Sequence, residues 1–309
     1  MFNMFNRREF IAAGASFAAA GAVGAAEEST THEGIKVRFL GTGAAGWRPG
    51  SPRRQSSVLL EGKVLIDFTQ CAADMLPEGF KADAIFYTHS HGDHYSPSAA
   101  LRIGVRRVFA QETWAAGARR EFAEAAEKLG VKPPEVTALP FGRPVEVEGL
   151  RITGVPANHC TNRITDGVTE RTSLYLVEKG AARLLYATDT SGIPGEAARL
   201  VGIDWHIRDG KKGIPPHVHP GQAITALIME ATMGVGLEDD FRLYVHSSVD
   251  TVARTVRVLT KTERYLPPPG QPVYLTHMGV GYSRDPDEND RKFPAPLKSA
   301  RAGMEVVLG

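Results

Sequence analysis

Nine consecutive residues, Tyr87-Thr88-His89-Ser90-His91-Gly92-Asp93-His94-Tyr95, constrain this chain more than any other feature. His89 and His91 are two apart, so an extended segment projects both imidazoles to one side. Asp93 and His94 follow Gly92, which permits a sharp turn back toward the same cavity. Imidazoles suit zinc and similar borderline ions, and a carboxylate among them compensates charge. Four ligands this close rarely serve one tetrahedral ion. Two adjacent ions, each completed by distant residues, is the natural solution.

The rest of the chain reads as short apolar runs punctuated by Gly and Pro, the pattern of strands and turns. Strands are predicted at 35–40, 57–60, 64–67, 84–87, 145–147, 150–155, 173–177, 184–188, 226–230, 242–246 and 273–277. Helical spacing predicts helices over 112–129, stopped by Gly130, and over about 249–264. Strands with interspersed helices in both halves predict an α/β fold: two mixed sheets face to face, helices outside.

The HxHxDH segment resembles the metal loop of the metallo-β-lactamase superfamily, and the other expected pieces follow in order. His159 comes after the 145–155 hairpin, Leu185-Tyr186-Ala187-Thr188-Asp189-Thr190 matches the later aspartate motif, and Tyr274-Leu275-Thr276-His277 the final histidine. Leu65-Ile66-Asp67 looks like the family's structural aspartate. The resemblance covers about residues 35–280 and implies a four-layer αββα sandwich. It also implies that His89, His91 and His159 hold one metal, that Asp93, His94 and His277 hold the other, and that Asp189 bridges them. Two divalent ions, zinc first and manganese or iron as alternatives, would make hydroxide available near neutral pH.

Gly41-Thr42-Gly43-Ala44-Ala45-Gly46, Met229-Glu230-Ala231-Thr232 and His246-Ser247-Ser248 are similar to motifs of the ribonuclease Z and cyclic-phosphodiesterase branch. That likeness implies a catalytic set of His246, Glu230 and Asp93, Asp93 doubling as a ligand. A carboxylate on one ring nitrogen raises a histidine's basicity and keeps it aimed at substrate. The expected activity is metallo-hydrolysis of a small phosphodiester. Hydrolysis of a lactone, lactam or other carboxyl ester, and a non-hydrolytic cofactor-biosynthesis role, are the alternatives. Arg53, Arg54 and Trp47 are candidates to contact an anionic substrate. The 158–172 link is longer than the compact family form. Residues 202–222, with Trp205, His206, His217 and His219, read as a long loop, a lid or a surface insertion.

Residues 1–26 carry Arg7-Arg8, a weakly apolar Ala/Gly-rich stretch and small residues before Glu27-Glu28, the pattern of a twin-arginine signal peptide. The expectation is a 27–309 hydrolase domain delivered to the periplasm by the twin-arginine machinery. The whole chain carries a formal charge of +1, and removing residues 1–26 leaves it neutral. Such a surface has no global field to draw in long nucleic acid. No segment is apolar enough to span a membrane. A homodimer is left open, and Cys71 and Cys160 are expected to be two buried thiols rather than a bridge.

Overall fold

The computed structural model describes residues 34–46, 53–204, 223–282 and 285–309. The proposed signal peptide, Trp47, and Trp205, His206, His217 and His219 lie outside the described residues. In the first half the strands are β1 (Ile35–Gly41), β2 (Ser57–Leu60), β3 (Val64–Ile66), β4 (Ala84–Phe86), β5 (Arg107–Gln111) and β6 (Glu135–Leu139). The second half contributes β7 (Pro144–Val147), β8 (Leu150–Pro156), β9 (Ile164–Thr165), β10 (Val168–Thr169), β11 (Ser173–Lys179) and β12 (Ala182–Ala187). It continues with β13 (Ala226–Glu230), β14 (Val273–Thr276), β15 (Leu297–Ser299) and β16 (Glu305–Leu308). The helices are α1 (Pro97–Arg102), α2 (Glu112–Leu129), α3 (Gly195–Leu200), α4 (Val249–Lys261) and α5 (Pro286–Lys292).

Among the described residues these strands form two seven-stranded sheets and a small β9–β10 ribbon. One sheet has the order β16-β1-β2-β3-β4-β5-β6, the other β15-β14-β13-β12-β11-β8-β7. The run β3 to β6 is parallel, and so is the run β12 to β15. Parallel strands covered on both faces read as continuous apolar runs, and β12, with every residue buried, is one. Its side chains alternate. Leu184 and Tyr186 point between the sheets, with Phe39, Ile66, Phe86, Tyr175 and Ile228. Leu185 and Ala187 point outward, beneath residues of α3 and α4. Residues of α1 and α2 cover the outer face of the other sheet in the same way. This is the predicted four-layer order of helix, sheet, sheet, helix.

Local chemistry sets the helix ends. Gln111 accepts from the N–H of Thr113 at the start of α2, and Gly130 ends it at φ 65°, the left-handed stop that glycine takes most readily. A reciprocal capping box between Ser248 and Thr251 starts α4, which ends at Lys261, short of the predicted 264.

Two readings need correction. Residues 242–246 are not a strand: Phe241–Tyr244 form a 3-10 turn, because the Asp240 side chain accepts from Arg242 N and also grips its guanidinium. The sheet has no slot for a strand there, since β13 pairs directly with β12 and β14. The cysteines are not both buried. Cys71 is half-buried and Cys160 exposed, and both are free thiols. No helix among the described residues is long and apolar enough to cross a membrane.

The fully buried Leu184 stands in the inter-sheet core. Leu184→Ala should therefore cost about 2–5 kcal/mol, read from denaturant midpoints. Val258, 54% exposed on α4, should tolerate alanine within about 0.5 kcal/mol. Equal losses at the two positions would contradict this packing.

Candidate metal centre

The candidate residues gather at the C-terminal ends of the parallel strands, the edge where open α/β sheets bind ligands. Asp67 follows β3, the His89–His94 loop follows β4, Asp189 follows β12, Glu230 ends β13 and His277 follows β14. His159 follows β8, and His246 lies between the 3-10 turn and α4. Asp67, Asp189 and His277 have φ of 55°, 47° and 49°, in the left-handed region that non-glycine residues seldom occupy. Each bends the chain sharply at a strand end. Such conformations persist only where surrounding contacts over-determine them.

The ligating atoms converge. His89 Nε2 lies 3.0 Å from His91 Nδ1, which lies 3.2 Å from His159 Nε2. His277 Nε2 is 3.4 Å from Asp93 Oδ2 and 3.2 Å from Asp189 Oδ2. His94 Nε2 is 3.5 Å from Asp93 Oδ2 and 2.9 Å from Asp189 Oδ2, while Asp189 Oδ1 is 3.8 Å from His159 Nε2. Bonds of 2.0–2.1 Å to a tetrahedral zinc ion imply ligand–ligand edges of about 3.3–3.4 Å. The spacings bracket that value, and three-ligand groups form on both sides of Asp189.

The opposite ring nitrogens explain the aim. His94 Nδ1 donates to Asp67 Oδ2 at 2.7 Å, and His159 Nδ1 donates to the Val245 carbonyl at 3.1 Å. Thr232 Oγ1 lies 2.8 Å from His277 Nδ1, and Thr88 Oγ1 lies 2.9 Å from His89 Nδ1. Outer partners of this kind set tautomer and ring orientation around bound metals. With Nδ1 donating to Asp67, His94 turns Nε2 into the cage, toward Asp93 and Asp189. Imidazole nitrogens and carboxylate oxygens that lie within 4.8 Å of one another form a donor set that fits a cation.

Charge tells the same story. Burial opposes ionisation of Asp189 and Asp93, yet His277 and His94 outweigh it and hold both carboxyls well below their usual range. Burial also works against a charged His94, but Asp189 and Asp67 overcome it and raise its pKa well above the ordinary imidazole value. His89 goes the other way, burial and His94 pushing it toward the neutral, ligand-ready form. Asp67, entirely buried, is raised by desolvation and accepts from Thr88 N, Thr88 Oγ1 and His94. The cluster attracts positive charge in a volume with little water.

Glu230 and His246 meet as expected. His246 Nδ1 lies 3.2 and 3.1 Å from the two Glu230 oxygens. Glu230 is fully buried and also accepts from the Thr190 N–H and the Thr232 hydroxyl. Burial lowers the pKa of His246, but the hydrogen bond to Glu230 and its charge outweigh that and raise it. The His246 side chain is 18% exposed and that of Asp93 12%, against 4% or less for His94, His159, Asp189 and His277. The former two therefore mark the open side of the cage.

Other expectations fare differently. Arg53 is buried, its Nη1 3.3 Å from Met278 Sδ, and burial brings its pKa down to about 10. Arg54 is clamped bidentately by Asp74 at 2.8 and 2.5 Å. Neither arginine is presented as an anion contact. Sequence reasoning passed over Thr232, which links Glu230 to His277, and Ser247, which accepts from Gly192 N and donates to the Thr190 carbonyl. It also passed over Glu170, whose carboxylate reaches Ser90 between two of the histidines. The Glu-Ala-Thr and His-Ser motifs already contained Thr232 and Ser247. Nothing local marks Glu170.

Comparison with known proteins identifies the family and the fold. A UPF0173 metal-dependent hydrolase of Thermococcus onnurineus is 30% identical over 159 residues, 50% of this chain and 62% of that protein. Another, from Methanopyrus kandleri, is 30% identical over 130 residues, 41% of this chain and 51% of its own. The matches thus span between half and two thirds of these curated relatives. The human short-form tRNase Z structure aligns with TM-score 0.60 at 18% identity, covering 89% of this chain and 99% of that one. Zinc-bound PqqB from Methylobacterium extorquens aligns with TM-score 0.60 at 16% identity, covering 88% and 99%. A diphosphatase of the PhnP family aligns with TM-score 0.52 at 22% identity, covering 88% and 96%. At these identities the structures establish a shared fold. Residues 67–232 match the family model described as the beta-lactamase superfamily domain, and the chain belongs to that family, with the metallo-β-lactamase fold.

Proposed function

We propose that the chain is a metal-dependent hydrolase. Its cage of His89, His91, His159, Asp93, His94, His277 and Asp189 holds two divalent ions, zinc first, and the substrate is a small phosphodiester. The donor set accommodates them, and both the fit of the ligand spacings and the curated relatives' description as metal-dependent hydrolases support the reading. Ions held there would supply an ionised water near neutral pH and positive charge for the phosphoryl oxygens.

The observation that carries the phosphodiester reading is the Glu230–His246 contact on the open side of the cage. Glu230 holds Nδ1, which leaves Nε2 of His246 to hold a proton for the departing alkoxide oxygen. Thr232 and Thr190 pin the Glu230 carboxylate, so the histidine is oriented before substrate arrives. The proposal includes export by the twin-arginine machinery to the periplasm, tested by cell fractionation of the full chain and its Arg7→Lys/Arg8→Lys variant.

Zinc titration of stripped protein should saturate at two ions per chain, with His159→Ala and His277→Ala each losing one. Saturation at one ion in the unaltered chain would remove the pair, and two redox-active irons in protein from its native compartment would displace hydrolysis altogether.

Bis(p-nitrophenyl) phosphate should be hydrolysed in preference to a chromogenic lactam and a lactone. Activity on the carbonyl substrates alone would reject the phosphodiester reading. His246→Ala should lower kcat/KM about 10²–10⁴-fold with metal content intact.

The raised pKa of His246 fixes the sign of the pH dependence. The acid form is present below the histidine's pKa and lost as pH rises through it, so kcat/KM should fall along an alkaline limb. Glu230→Gln removes the charge that favours imidazolium and should move that limb to lower pH. An unmoved limb would exclude His246 as the acid.

A further inference from the structure

The link from His159 to β11 does not take the short path. It leaves the ligand, forms the β9–β10 hairpin and returns. The hairpin turns at Asp166-Gly167, both at positive φ (52° and 81°), the pairing a tight two-residue hairpin requires. At its base the Glu170 N–H donates to the Arg163 carbonyl at 3.0 Å. Arg163 docks the hairpin on α2. Its guanidinium pairs with Glu121 at 2.6 and 3.3 Å and lies 5.3 Å from the ring centroid of Trp114. The returning strand therefore reaches a set place, and Glu170, 5% exposed, arrives there.

Its carboxylate accepts three hydrogen bonds: from Ser90 N at 2.8 Å, Ser90 Oγ at 2.5 Å and Thr161 Oγ1 at 2.9 Å. Ser90 lies between His89 and His91, and Thr161 lies two residues after His159. The first pair of ligands follows a strand of one sheet, and the third follows a strand of the other. One buried carboxylate thus joins the two segments that supply this group of ligands. With His89 and His91 turned into the cage, Ser90 is left to face away from it, and Glu170 grips the loop from behind.

We propose that Glu170 is a positioning residue for the His89–His91–His159 metal site, holding the two ligand-bearing segments at the separation one ion requires. The proposal rests on the metal-centre reading above. Removing the carboxylate leaves the Ser90 N–H without its partner and frees the loop to rotate both imidazoles. The loss should fall on the ion of this group and spare the Asp93–His94–His277 side.

The test compares wild type with Glu170→Ala, Glu170→Gln and, as a control in the same hairpin, Asp166→Asn. Zinc affinity is read by competition with a chromogenic chelator, and Tm is read on zinc-loaded and stripped protein. Glu170→Ala should weaken one of two zinc ions by about 10–100-fold and shrink the rise in Tm that zinc produces. Glu170→Gln, which keeps one acceptor oxygen, should fall between, and Asp166→Asn should match wild type. Equal falls in Tm of the loaded and stripped forms, with zinc affinity unchanged, would overturn the proposal as merely structural. Should Glu170→Ala fail to fold, Glu170→Gln carries the same criteria. Wild-type protein that takes up no zinc would instead overturn the metal-centre reading itself.

Discussion

Asp67, a carboxylate with no exposure to solvent, governs the geometry of everything around it. It ends β3 in a left-handed conformation and accepts from Thr88 N, Thr88 Oγ1 and His94 Nδ1. A buried carboxylate is costly unless its lone pairs are met, so these contacts hold one another in place. They decide where the histidine loop leaves β4 and which face of His94 looks into the cage. Around them, Ser173 N donates to the Thr88 carbonyl and Tyr175 Oη donates to the Tyr87 carbonyl, tying the loop to the other sheet.

From this anchor the centre grows as a balance of charge. Asp93, Asp189, Asp67 and Glu230 crowd into a largely buried region, a gathering of acids that requires positive charge nearby. Histidines meet part of that need, which is why His94 and His246 are raised while Asp93 and Asp189 are depressed. Divalent cations suit such a site better than protons alone, because they offer more charge and fixed directions. The residues that hold the ring nitrogens from outside (Asp67, Thr232, the Val245 carbonyl) make those directions available in advance.

Legibility followed the range of each interaction. Strand 226–230 and helix 112–129 were readable to the residue, because apolar periodicity and Gly130 are local signals. Strands β5 and β6, short and flanked by charge, carried too little pattern to announce themselves. The 242–246 stretch misled because its apolar run imitates a strand, while Asp240 takes the backbone elsewhere. Arg53 and Arg54 invited a substrate role that Asp74 and burial pre-empt. Glu170 was invisible because its partner Ser90 stands 80 residues away in sequence.

The kind of chemistry available is already written in the order of the residues. Closely spaced histidines and an aspartate, followed in order by His159, Asp189, Glu230, His246 and His277, supply donors suited to metal and to proton transfer whatever the fold. Tertiary structure decided which donors share a site and which way each faces. Those are distances between strand ends belonging to different sheets, set by β-pairing and core packing over the whole chain. Local residue preferences carry no information about them, since the left-handed turns at Asp67, Asp189 and His277 are favourable only once the surrounding contacts exist.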